Sequence, residues 1–151
     1  MQLCKIYRTG FTLNGKLEEE KMKLLLRIGG ILNLFLAIFH FMFWKLFDWP
    51  NSLSCLAETQ QAIMQVLNIH LGLVVAFFGY VSLFFPDDLL NSKIGKQLLL
   101  LISFFYLVRV INEGVFFGIS HPASIGTIIV LALVSLLYFA VWRSADLVKN
   151  Q

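Results

Sequence analysis

The chain reads as an all-α integral membrane protein with four transmembrane helices in an up-down-up-down bundle. Three observations predict that class. Apolar residues make up 58% of the 151 and charged residues 14%, with a mean hydropathy of +0.78, which is more apolar side chain than a soluble domain this short can hide in one core. Four runs, 28–47, 63–85, 97–119 and 123–142, each reach the roughly 20 apolar residues that cross a bilayer at about 1.5 Å rise per residue. Pro50, Pro86 and Pro122 fall one in each gap between runs, where residues that cannot donate a helical hydrogen bond belong. Gaps this short make neighbouring helices antiparallel, and the strand-like alternation of an outer-membrane barrel is missing.

Taken in order, residues 1–21 mix Gly10, Gly15 and the acidic Glu18-Glu19-Glu20 with polar residues and no sustained period, which predicts a poorly ordered cytoplasmic leader. Met22-Lys23-Leu24-Leu25 would itself serve as the start of a bacterial membrane protein, so the leader is either outside the native chain or an amphipathic anchor. Residues 22–145 form the transmembrane domain and 146–151 a cytoplasmic tail. The first run is too long for a signal-peptide core and lacks a small-residue cleavage site, so it is a retained helix. It carries a row of Gly29 or Gly30, Asn33, Ala37, His40 and Trp44; the second run carries Asn68, Gly72, Ala76 and Gly79. Small residues in such rows let helices approach closely, and polar ones bond across the contact. Asp87-Asp88 suit capping of a helix start. In the third run Ser103, Tyr106 and Glu113 form a polar stripe. Trp44, Trp49 and Trp142 suit the interfacial belts.

Charge orients the bundle. Lys5, Arg8, Lys16, Lys21, Lys23, Arg27, Lys93, Lys96, Arg143 and Lys149 share one side, leaving only Lys45 opposite and Arg109 within a span. Short cytoplasmic loops carry the Lys and Arg excess, so both termini are expected in the cytoplasm of a cell with the chain in its inner (plasma) membrane. The net charge of +3 is this asymmetry, and the partner it implies is the lipid bilayer and not nucleic acid, which needs a contiguous basic stripe. Cys4 and Cys55 fall on opposite sides and form no disulfide framework or zinc spacing. A homo-oligomer or a larger membrane complex is the natural setting for so small a bundle.

The candidate site is set by depth. His40 lies about 10 Å below the outer end of the first run, and His70 at the same level on the second. Glu113, Asn112 and Arg109 lie about 9, 10 and 15 Å below the outer end of the third, on one helical face because they are three and four positions apart. Ionisable groups in hydrocarbon are costly unless paired or facing an interior, which makes this outer-half cluster a ligand or ion-pair site. Arg109 and Glu113 also satisfy a purely structural pairing, and His121 before Pro122 reads as a loop residue. His70 sits about 200° around its helix from Gly72, away from the small-residue stripe, and so toward a different neighbour or lipid.

The leading functional expectation is an accessory or partner-binding membrane component without enzymatic activity. The first alternative is a redox module binding haem, a metal ion or a quinone through His40, His70 and Glu113, since two imidazoles and a carboxylate are a known metal-ligand composition. The second is a small oligomeric proton-coupled transporter, in which Glu113 and His40 exchange protons beside Arg109. No nucleophile triad, glycine-rich phosphate loop or HExxH pattern accompanies them.

Overall fold

The computed structural model describes residues 2–120 and 122–149, and side chains over 15–120 and 122–146. His121 therefore lies outside the described residues, as do the side chains of Cys4 and the tail from residue 147. In chain order the helices are α1 (Gln2–Phe41), α2 (Phe43–Leu46), α3 (Trp49–Ser52), α4 (Glu58–Phe84), α5 (Pro86–Asn91), α6 (Lys93–Phe116) and α7 (Pro122–Lys149). Four segments are long and apolar enough to cross a membrane: Gly15–Phe41 of α1, all of α4, all of α6, and Pro122–Asp146 of α7. Their outward faces carry Phe35, Ile38, Leu73, Phe77, Leu101, Phe104, Leu133 and Leu136, all exposed. A continuous apolar exterior of this kind is stable only against lipid or another apolar surface.

The long helices pack as two hairpins, α1 with α4 and α6 with α7, joined along an α1/α7 seam. Glycine makes the first hairpin. A Cβ on Gly30 would stand 2.7 Å from Leu83 Cγ and 3.1 Å from the Gly79 carbonyl, and one on Gly79 would stand 3.0 Å from the Gly30 carbonyl. The two backbones thus touch where neither residue has a side chain, as the small-residue rows predict. Serine makes the second: Ser103 Oγ donates to the Ser135 carbonyl at 3.0 Å, and Ser135 Oγ returns a bond to the Ser103 carbonyl at 2.8 Å. Below these contacts the apolar core gathers Met22, Leu26, Leu89, Leu99, Ile102, Val134 and Val141.

At that same end α5 acts as a plug. Pro86, Leu89 and Leu90 are buried, and Gly95 lies so close to the Asp88 and Leu89 backbone that no side chain fits there. Lys23 clamps α1 to α5 with a 2.7 Å contact to Asp87. The buried Lys96 donates 2.6 Å to the Ala145 carbonyl, tying α6 to α7. By contrast the backbones of α4 and α6 stand farther apart than those of the paired helices, and the two meet through side chains. The short α5 separates their ends, and the edge-on pair Phe78–Phe105, centroids 5.2 Å apart, is the aromatic bridge between them.

Element boundaries differ from the hydropathy reading in three places. Helix α1 begins at Gln2, in place of the irregular leader expected over 1–21. The pairs Glu18–Lys21 at 2.7 Å and Glu19–Lys23 at 2.9 Å supply helical spacing that an apolar-period search does not register. At its other end α1 stops at Phe41, short of Phe47, and the chain continues through α2 and α3 around Asp48, whose φ of 45° is left-handed. Phenylalanine and tryptophan continue the hydropathy across that break, so composition hides it. Helix α6 ends at Phe116, two residues before Gly118, which supplies the positive φ of 72° that commonly closes a helix.

Candidate functional site

The polar side chains of the described bundle form a column at its centre, widening toward the end that carries α2 and α3. At its base one residue from each long helix meets the others. Asn33 of α1 is fully buried, and its Nδ2 donates to the Gly29 carbonyl at 2.8 Å and to the Tyr138 hydroxyl at 2.9 Å. Its Oδ1 accepts from the Tyr106 hydroxyl of α6. Tyr138 of α7 shares a 2.7 Å hydrogen bond with Ser82 of α4. Asn33 thus uses both amide hydrogens and its oxygen, which is what a buried amide requires. The node gives each helix a partner whose loss is felt in the other three.

One level up, α1 and α4 are locked by a reciprocal pair. Asn68 Nδ2 donates to the His40 carbonyl at 2.8 Å, which turns Asn68 Oδ1 toward His40 Nδ1 at 2.9 Å. An amide oxygen accepts only, so Nδ1 carries the hydrogen and Nε2 is left as an acceptor. Because α1 ends at Phe41, His40 lies in its last turn instead of two turns below the end.

Across from it, Arg109 Nη1 contacts Glu113 Oε2 at 2.7 Å along α6. No donor is aligned on that buried oxygen, so the contact is a charge pairing without a directed hydrogen bond. Arginine preceding glutamate by four is the less favourable order on a helix, which accounts for the misalignment. The other carboxylate oxygen accepts from Ser124 Oγ of α7 at 3.3 Å, and the same hydroxyl reaches the Gly118 carbonyl at 2.7 Å. Glu113 is thereby held in the α6/α7 contact, while the Arg109 side chain remains about one third exposed.

Two spaces meet at Arg109. A cavity of about 70 Å³ lies among all four long helices, lined by His40, Phe43, Val75, Tyr106, Arg109 and Thr127 among others. A wider cleft of about 360 Å³ runs between Leu71 of α4 and the Leu101, Phe104, Phe105, Val108, Arg109 and Asn112 face of α6. Leu71, Phe105 and Arg109 border both. The cleft opens where the backbones of α4 and α6 stand apart.

Of the sequence-derived candidates, His40 and Arg109 share one cavity, Glu113 pairs with Arg109, and Asn112 is exposed in the adjoining cleft. His70 does not join them. It is exposed on α4 and its Nδ1 bonds to the Val66 carbonyl of its own helix at 2.8 Å. No group of three His, Cys, Asp or Glu stands close enough to hold a metal among the described residues, so His40, His70 and Glu113 do not converge as a ligand set. Sequence reasoning missed Asn68 as the partner of His40, and Ser124, Ser82 and Tyr138 altogether. Asn68 was legible as the polar member of the α4 stripe, opposite the row that contains His40. Comparison with protein-family models, curated proteins and solved structures yields no match.

Proposed function

We propose that the chain is an accessory, ligand-binding component of a cell's inner (plasma) membrane, spanning it four times in an up-down-up-down bundle with both termini cytoplasmic. In that orientation the α2/α3 end faces outward, and the His40–Arg109 cavity lies in the outer half of the bilayer. The observation that carries the reading is the junction at Arg109, where an inner, mostly apolar cavity with His40, Tyr106 and Arg109 in its wall meets a cleft on the apolar surface. A structural ion pair needs no such opening. A site fed from within the bilayer does, since its ligand enters sideways between α4 and α6 without crossing water. The groups around it suit binding: donors on Arg109 and Asn112, an acceptor on His40, and aromatic walls.

Orientation is tested by reporter fusions. Those after Gln61 and Ser120 are expected to read external, and those after Asn91 and Gln151 internal. An external signal at Gln151 would reverse the assignment.

Ligand binding is tested by thermal unfolding of the purified protein with and without a total lipid extract of its host membrane. A ligand at a hundredfold excess over its Kd stabilises by about 2.7 kcal/mol. The wild type is expected to gain stability, and His40→Ala, which removes the acceptor, to gain little or none. Equal gains in both would remove His40 and its cavity from the site.

A further inference from the structure

Resting on the binding site just proposed, the geometry points to a membrane quinone as its occupant, with the ring in the α4/α6 cleft and the isoprenoid tail in the bilayer. The first argument is charge. Arg109 and Glu113 already offset one another at 2.7 Å, so the site is neutral as built. A fatty acid or an anionic phospholipid head would leave a net negative charge at membrane depth, and a zwitterionic head would bring two further charges to desolvate there, where charge is heavily penalised. A neutral head that accepts hydrogen bonds adds none.

The second argument is the donor and acceptor set. A guanidinium carries five N–H donors, and only one nitrogen of Arg109 contacts Glu113. The remaining donors have no protein acceptor among the described residues, and Asn112 adds an exposed amide in the same cleft. Quinone oxygens are acceptors that suit both. The reduced ring carries hydroxyls, and His40 Nε2, freed by the Asn68 lock on Nδ1, is an acceptor in the adjoining cavity, which a hydroxyl directed past Arg109 meets through water. One neutral ligand class thus satisfies the site in either of its states.

The third argument is shape. Phe104, exposed, and Phe105 put two aromatic rings in the cleft wall, and the flanking Leu71, Leu101 and Val108 are apolar. A planar ring stacks on the former and a prenyl tail lies along the latter. The volume of about 360 Å³ falls within the range of small-molecule sites, and the lateral opening lets the tail stay in lipid.

The test is isothermal titration of the full-length protein in phosphatidylcholine nanodiscs, with decylubiquinone as probe and myristate as the anionic comparison. Decylubiquinone is expected to bind saturably at one site per chain, and myristate at least about tenfold more weakly, a difference near 1.4 kcal/mol. The charge-conserving double variant Arg109→Gln/Glu113→Gln removes the guanidinium donors and is expected to weaken quinone binding by about tenfold or more. Val108→Trp fills the cleft from a surface position and is expected to abolish binding while leaving the melting temperature near that of the wild type, so loss of binding is not mistaken for loss of fold. Absence of saturable quinone binding, tighter binding of myristate, or unchanged affinity in Val108→Trp would each overturn the assignment. If the host lipid extract stabilises the protein and decylubiquinone does not bind, the membrane-fed site stands and only its occupant is wrong.

Discussion

Asn33→Leu is expected to be among the most damaging single substitutions in the bundle, costing about 1 to 2 kcal/mol. The side chain is fully buried, and it is the one group that joins Tyr106 to Tyr138. Leucine has nearly the same volume, so the loss is polar: Tyr106 is left without its acceptor, while Tyr138 loses the Asn33 amide and keeps Ser82. A buried hydroxyl stripped of its partner costs about 1 to 3 kcal/mol, toward the lower end in membranes, where interhelical hydrogen bonds average about 0.6 kcal/mol. Adding Tyr106→Phe to Asn33→Leu removes one orphan and is expected to recover about 1 kcal/mol. Reversible unfolding in mixed detergent micelles measures both. A cost below about 0.5 kcal/mol, or no recovery in the double variant, would show that the node does not couple the helices.

The second large effect belongs to the ion pair. Arg109→Leu leaves Glu113, which is buried and holds Ser124, with an uncompensated charge. Removing one member of a buried pair costs about 3 to 5 kcal/mol in general. Here about 2 to 3 kcal/mol is expected, because Arg109 is one third exposed and the contact is poorly aligned. Glu113→Gln costs less, since the amide still accepts from Ser124. The double variant Arg109→Leu/Glu113→Gln removes both charges and is expected to be more stable than Arg109→Leu alone, with the single costs exceeding the double by about 1 kcal/mol or more. Strictly additive losses would mean that the two charges do not interact.

The parts of this structure that were legible in the sequence are those set by one-dimensional periodicity. Length and hydropathy give four helices long and apolar enough to span a membrane, and small-residue rows give the Gly30–Gly79 approach and the burial of Asn33, Ala37 and Gly72. Three- and four-residue spacing gives Arg109 beside Glu113, and the Ser103, Tyr106 and Glu113 stripe is buried as a face. What was not legible depends on which helix each face meets. Tyr138 and Ser82 are scattered polar residues in long apolar runs; Ser82 bonds to Tyr138, whose other partner, Asn33, lies 105 residues before it. The wider spacing of α4 and α6 is a tertiary feature, and the α5 that joins their ends looks like a loop when proline is read as a boundary. Depth suffered from the same limit: the apolar run to Phe47 hides the helix end at Phe41, which moves His40 to the last turn.

The central claim is that the junction at Arg109 holds a molecule drawn from the bilayer. Native mass spectrometry of protein released directly from its own membranes tests it most directly, comparing the wild type with the cleft-filling Val108→Trp. The wild type is expected to carry one non-protein adduct per chain that survives removal of bulk lipid and detergent, and Val108→Trp to fly as the bare polypeptide. A bare wild type, or the same adduct on Val108→Trp, would contradict the claim.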